Sequence, residues 1–334
     1  MHENAFLNCT NLETVKIKGN EFNVASFTNC SDFEVKLESD YTNLTIENNL
    51  LVFKQTIDGT TYKVLLAVLP KYDEKSLTIS NYDAIFPYTF SICTKPTEVI
   101  IDGSNVNFDE KVFPFSKVKT VEIKKCGHTY IPSNLFYQAY NLQKVIIPEG
   151  ILRIEDDAFR YCYKLKTVEL PSTVSYIGQS AFSYYLKLKS IDLSNVAIID
   201  SSAFSNCESL NVDLPENLKY LGGSAFSNTN LKSVVIPGSL KAIPSVIFNG
   251  CRNLKKIEIG DGIVRIDYLA SNCPKLKKII VPSSVKYISA EAFNENPAVD
   301  VEIDSGNPYY EAKDHVIIEK ATHIVIGSYG QYSL

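Results

Sequence analysis

Phenylalanine recurs along this chain at Phe90, Phe113, Phe136, Phe159, Phe182, Phe204, Phe226 and Phe248, and Ala270 and Phe293 continue the series, with steps of 22 or 23 residues. A chain folded around one closed core has no reason to repeat at a fixed step. A stack of coils does, because each coil touches only its neighbours and must present the same shape above and below. The spacing predicts a solenoid and moves the question of function from catalytic pockets to surfaces.

One unit reads Leu165-x-x-Val168-x-Leu170-Pro171-x-x-Val174-x-x-Ile177-Gly178-x-x-Ala181-Phe182. Further copies run from Leu142 to Phe159, from Leu231 to Phe248 and from Leu276 to Phe293. The Val-x-Leu core alternates with period two, as a short strand with one buried face does. Proline follows it, and lacking a backbone donor it should end the strand. The Ile-Gly step suits a tight turn, and Ala-Phe returns the chain to the core. Each coil is then a strand, a turn, a second short extended or helical-turn segment, and a loop back.

The pattern Leu-x-x-Ile-x-Ile-Pro-x-x-Val-x-x-Ile-Gly-x-x-Ala-Phe-x-x-Cys resembles the BspA-like subclass of leucine-rich repeats over most of the chain. The resemblance implies a right-handed superhelix of 22–23-residue coils with short parallel strands, mostly β with helical turns, interrupted by β-hairpins. Asn48-Asn49-Leu50-Leu51-Val52-Phe53-Lys54, then Asp58-Gly59 and the run from Val64 to Pro70, look like such a hairpin. The stretch from Asn307-Pro308-Tyr309-Tyr310 through Val316 to Lys320 and Ile324-Val325-Ile326 looks like the start of another. The expected organisation is repeat coils over 1–38, a hairpin insertion over 39–79, coils over 80–303 and a terminal hairpin over 304–334. The chain opens within a coil at Glu3-Asn4-Ala5-Phe6, which reads as a fragment of a longer array or one closed by its hairpin. The family is associated with surface-exposed adhesion proteins of mucosal bacteria and protist parasites.

A chain of 334 residues with 45% hydrophobic and 21% charged content can bury a large core. Its net charge of −5 argues against nucleic acid as partner, since that ligand needs a basic face. No stretch approaches the ~18 apolar residues of a membrane span. The first residues lack the basic and apolar regions of a signal peptide.

Of the eight cysteines, Cys9, Cys30, Cys93, Cys162, Cys207 and Cys251 lie three residues after the repeat phenylalanine, and Cys273 holds that place after Ala270. Cys93, Cys162 and Cys207 have no cysteine in the neighbouring coil; Cys9–Cys30 and Cys251–Cys273 are the pairs that could bridge. The slot also holds Tyr185 and Thr229, so buried packing thiols are the reading favoured over disulfides. Asn8-Cys9-Thr10, Asn29-Cys30-Ser31 and Asn43-Leu44-Thr45 match the N-glycosylation pattern. The same Asn-Cys step recurs at Asn206-Cys207 and Asn272-Cys273 without it, where the asparagine suits a turn. No phosphate loop, His-Glu-x-x-His, Gly-x-Ser-x-Gly or Cys-x-x-Cys occurs, so no enzyme, metal or cofactor is expected. Lys125-Cys126-Gly127-His128 is irregular but reads as a variant turn.

Surface columns remain. Glu122, Ile146, Glu169, Asp192, Asp213, Val235, Glu258 and Ile280 should point outward from stacked strands, beside a column of Gln143, Lys166, Lys189, Asn211, Lys232, Lys255 and Lys277. Opposed stripes keep a sheet soluble, whereas outward Ile146, Val235 and Ile280 suit a contact. Tyr140 and Tyr163 share one phase and Tyr161 and Tyr184 another, and tyrosine is enriched at binding hot spots. These residues define the candidate site of a non-catalytic module that binds a protein or glycan, in adhesion or, alternatively, as an intracellular scaffold.

Overall fold

The computed structural model describes residues 5–19, 22–30, 32–38, 43–293 and 295–330. Glu3 and Asn4 at the chain's opening, Ser31 of the second glycosylation pattern and residues 39–42 of the expected insertion lie outside them. The chain divides into two compact units, Met1–Pro171 and Ser172–Leu334. Each is a stack of β coils. The expected helical turns reduce, among the described residues, to Val24–Phe27 and Gly238–Leu240.

In the first unit, Ser76–Ile79, Glu98–Asp102, Thr120–Lys125, Lys144–Ile146 and Thr167–Glu169 form a five-stranded parallel sheet in chain order. Ser76–Ile79 falls within the span expected to be insertion, yet it is the sheet's first strand. Before it, Thr14–Ile17 pairs in parallel with Glu34–Leu37. Between these sheets, Leu44–Glu47, Leu50–Ile57 and Thr60–Val68 make an antiparallel meander. Its tight turns put Asn48, Asn49, Asp58 and Gly59 at positive φ (48–79°), the primed geometry that twists with the strands and favours Asn, Asp and Gly. The last meander strand rejoins the stack by pairing Val64 and Leu65 in parallel with Ala84 and Ile85.

In the second unit, Ser233–Ile236, Lys256–Ile259, Lys278–Val281 and Asp300–Ile303 form a four-stranded parallel sheet. Ala242–Ile243, Arg265–Ile266 and Tyr287–Ile288 form a second, narrower one. The terminal hairpin is a full meander of Tyr310–Lys313, Val316–Glu319 and Ile324–Ser328, with Asp314 and His315 at positive φ in its first turn. Gly222, after Leu221, shows why glycine follows the second strand. A Cβ there would sit 2.2 Å from the Ser201 nitrogen of the preceding coil.

The phenylalanine column is the core of both units, and its rings are fully buried from Phe90 to Phe248. Centroids lie 4.8–5.0 Å apart from Phe90 to Phe159, and 5.3 Å apart from Phe182 through Phe204 to Phe226. That step is the ~4.8 Å separation of paired strands, so the coils bring the rings into stacking contact.

The segments carrying Phe113, Phe136, Phe182, Phe204 and Phe226 are hydrogen-bonded coil to coil without being β-strands, whereas Phe248–Asn249 is a short strand paired in parallel with Ala270–Ser271. Residues two before and two after the ring sit at positive φ: Asn134 and Gln138 around Phe136, Asp157 and Tyr161 around Phe159, Ser202 and Asn206 around Phe204, Ser224 and Asn228 around Phe226. The alternation turns every second amide toward the next coil, as with Asn134, Phe136 and Gln138, which donate to Asp156, Ala158 and Arg160 at 2.9–3.0 Å. Short polar residues dominate these places because they tolerate the left-handed region.

The cysteine slot closes the same turn. Cys162 donates its thiol to the Phe136 carbonyl at 3.1 Å, Cys207 to Phe182 at 3.1 Å, Cys251 to Phe226 at 3.2 Å and Cys273 to Phe248 at 3.0 Å. Thr229 fills the slot by bonding Phe226 at 2.8 Å. All eight cysteines are free; six are buried, whereas Cys9 is exposed and Cys126 half-buried.

Candidate functional site

Strand pairing decides which outward residues face one another. In the first unit, Ile100, Glu122, Ile146 and Glu169 stand in register on successive strands. In the second, Val235, Glu258, Ile280 and Glu302 do the same. Apolar and acidic side chains therefore alternate along each face. Two of the carboxylates are paired, Glu258 with Lys256 at 2.8 Å and Glu302 with Lys278 at 2.6 Å. Val235 is 57% exposed, whereas Ile146 and Ile280 are half-buried.

The expected ladder does not run through Asp192 and Asp213. Residues 190–194 and 211–217 contain no strand. Among the described residues, no backbone bond joins Ile191–Leu193 to Val212–Leu214, or the latter to Ser233–Ile236. Residue spacing explains the break. Ile147 and Ile151 are four positions apart, but Leu193 and Val196 only three; Leu142 and Val145 are three apart, but Leu210 and Val212 only two. Each deletion abuts the strand position and shifts its amides out of register. Where the missing residue lies elsewhere, as between Phe226 and Leu231 or Ile266 and Ala270, the strand forms. Side chains supply substitutes: Asn211 Oδ1 accepts from the Lys232 amide at 3.0 Å, and Asp192 Oδ1 from the Ser194 amide at 2.9 Å. That Ser194 bond also holds the Asp192 carboxyl below the usual range. The break leaves an open cavity of about 530 Å³ over residues 190–194 and 211–217, with another of about 480 Å³ beside Val235 and Pro237.

The tyrosines gather at the loop edge of the first unit. Tyr140 and Tyr163 stack with centroids 5.6 Å apart and planes 3° from parallel. Tyr161 lies 5.9 Å from Tyr163 and meets Tyr137 edge-on at 5.7 Å. Phe115 meets Tyr140 edge-on at 5.9 Å. Arg160 covers the Tyr161 ring at 4.8 Å, donates to its hydroxyl at 3.2 Å and pairs with Asp157 at 3.0 Å. Burial raises the Tyr140 phenol, and neighbouring phenols add to the effect. Tyr137 and Arg160 escape the column reading because they occupy another phase, Phe115 because it is a phenylalanine in the phase of Tyr161, and coil stacking brings them together. Tyr184 belongs to the second unit, where it is 36% exposed.

Backbone conformation separates this edge from an ordinary one. Position two after the phenylalanine has φ of 53–61° at Asn206, Asn228 and Asn272. Those asparagines join a ladder: Asn228 donates to Asn206 at 3.0 Å and Asn272 to Asn249 at 3.2 Å. The expectation that they bond their own turn gives way to bonds between coils. At the same position Phe115, Tyr161 and Tyr184 have φ of 59–63°. A bulky aromatic in that region costs on the order of 1 kcal/mol more than asparagine or glycine. The aromatics hold a strained place that other coils fill with a better-suited residue.

The irregular turn at Cys126 and His128 is packed and hydrogen-bonded. His128 accepts from the Phe108 amide through Nε2 at 3.2 Å and packs against the tilted rings of Phe108 and Tyr130, and its burial lowers its basicity. Among the described residues, no group of three His, Cys, Asp or Glu side chains could hold a metal, and no helix is long and apolar enough to cross a membrane.

The model of the BspA type leucine rich repeat region matches in six copies over residues 1–56, 73–130, 129–254 and 181–300. No curated protein matches the sequence. Among solved structures, a leucine-rich repeat protein from Bacteroides ovatus is similar with TM-score 0.56 and 24% identity, over 76% of this chain and 81% of that one. A leucine rich cell surface protein from Faecalibacterium prausnitzii matches with TM-score 0.40 and 22% identity, over 80% and 96%.

Proposed function

The chain belongs to the BspA-type leucine-rich repeat family, whose coils are scaffolds that generally bind protein ligands, and from that premise we propose that it is a non-catalytic adhesion module gripping its ligand across several coils of the aromatic edge. The observation that carries the reading is the placement of Phe115 and Tyr161 at left-handed positions that Asn8, Asn29, Asn206 and Asn228 fill in other coils. Backbone strain concentrates at functional sites. The half-exposed tyrosines offer large contact area at low entropy cost. The strand face, with exposed Val235 beside Glu258 and Ile280, is the second contact surface.

Surface plasmon resonance against extracellular-matrix proteins tests the reading. Tyr161→Asn with Tyr163→Ser should weaken binding by tenfold or more, about 2 kcal/mol for a hot-spot pair. Ile146→Lys with Ile280→Lys tests the strand face. Undiminished affinity in both variants, for a ligand the parent binds, rejects both surfaces. Eight free thiols favour the second reading, an intracellular scaffold, because disulfides are rare in reducing compartments. Labelling intact source cells with a membrane-impermeant reagent separates the two: adhesion requires labelling before lysis.

A further inference from the structure

The loops of the aromatic edge carry a charge pattern that an adhesive tyrosine patch does not need. Residues 113–120, 136–144 and 159–167 lead from the phenylalanine column to the strand face in three successive coils of the first unit. They hold no aspartate or glutamate, in a chain whose net charge is −5. They hold Lys117, Lys119, Lys144, Arg160, Lys164 and Lys166. All five lysines are exposed. Among the described residues no salt bridge engages any of them; Lys164 instead bonds the Asn141 amide oxygen at 2.9 Å, and only Arg160 has a carboxylate partner, Asp157. Cations without counter-charges thus flank a cluster of five aromatic rings.

We propose that this edge binds a sulfated glycan, with sugar rings stacked on the tyrosines and sulfate groups set against the flanking lysines. The proposal rests on the edge being the contact surface argued above and adds the chemical class of its ligand. Sugar rings present apolar C–H faces to aromatic rings, and their hydroxyls suit the phenols. Coils repeat at the ~4.8 Å of paired strands, close to the length of one pyranose in a chain, so a polysaccharide running across the coils meets equivalent loops at successive residues. Charge complementarity selects an acidic chain over a neutral one. A single-stranded nucleic acid shares the charge but wants open ring faces for its bases. Here Tyr140 and Tyr163 cover one another at 5.6 Å, leaving no room for a base between them.

The test is titration calorimetry of the whole chain with a size-defined sulfated glycosaminoglycan oligosaccharide, the same oligosaccharide after desulfation and re-acetylation, and oligo-dT. The sulfated chain should bind, weaken as salt rises, and exceed the other two by about tenfold or more. Lys117→Glu with Lys166→Glu, and separately Tyr161→Asn with Tyr163→Ser, should each lower its affinity about tenfold. Lys313→Glu, in the terminal meander, should not change it, and circular dichroism should match the parent throughout. Equal binding of oligo-dT, or a sulfated chain that ignores the tyrosine variant, overturns the proposal. So does failure of the sulfated chain to bind. In that last case the matrix-protein measurement still decides separately whether the edge is a contact surface at all.

Discussion

The buried thiols are a set of small hydrogen-bond donors fitted to one carbonyl per coil. Burial pushes Cys93 and Cys207 up to about 12, against ~8.5 for a free thiol. They are therefore protonated and unreactive at neutral pH, and a maleimide should label Cys9 quickly and Cys126 slowly. Cys30, Cys93, Cys162, Cys207, Cys251 and Cys273 should react only after denaturation, and finding several bridged in protein purified without reductant would reverse this assignment. Because the folded value is raised, the contribution to stability is complete below ~8.5 and declines as pH climbs toward about 12, where the unfolded chain loses protons that the folded chain keeps. Denaturant midpoints should fall between pH 9 and 11, and fall less in a Cys93→Thr, Cys207→Thr variant, since Thr229 shows that threonine suits the slot. Tyr161 poses the opposite case. Tyr161→Asn relieves a left-handed aromatic while losing ring contacts of ~0.5–1.5 kcal/mol, so stability should change by less than about 1 kcal/mol. A larger loss would make Tyr161 a structural residue and weaken its standing as a contact.

At the scale of the strand, one residue decides whether a coil joins the ladder. The amides of Ile191–Leu193 and Val212–Leu214 should exchange with solvent far faster than those of Thr120–Lys125, which pair on both sides. Slow exchange at both sites would show the ladder intact in solution. The break could not be read from residue types, because Ile191, Leu193, Val212 and Leu214 are all apolar residues of the expected kind. What changed is spacing, by one position in 23. The phenylalanine column, the parallel strands and both hairpins were legible because each depends on residues repeated in phase or on a local turn such as Asp58-Gly59. The aromatic edge was only half legible. Tyr140 and Tyr163 share a phase and Phe115 shares that of Tyr161, but Tyr137 and Arg160 follow their phenylalanines by one residue, so the meeting of the different phases depends on how the coils stack. The left-handed backbone at Tyr161, which separates it from a chance surface tyrosine, has no signature in a single residue.

For the whole molecule, stability should be local, because each coil contacts only its neighbours and a stack's free energy is close to a sum over coils and the interfaces between them. Phe136 and Phe204 are both fully buried, one in each compact unit. Truncating either removes a ring from a stacked column and should cost about 3–5 kcal/mol. The two losses should differ in where they fall. Phe136→Ala weakens the coils that hold Tyr140, Tyr161 and Tyr163 at the contact edge, whereas Phe204→Ala weakens coils around the broken ladder. Hydrogen exchange should accordingly quicken mainly within residues 1–171 for Phe136→Ala and within residues 172–334 for Phe204→Ala. Ligand binding through the aromatic edge, measured while the temperature is raised, should fail several degrees earlier in Phe136→Ala than in Phe204→Ala. Equal loss of binding, with exchange quickening uniformly along the chain, would mean that the coils unfold as one cooperative body and that the site draws its rigidity from the whole array.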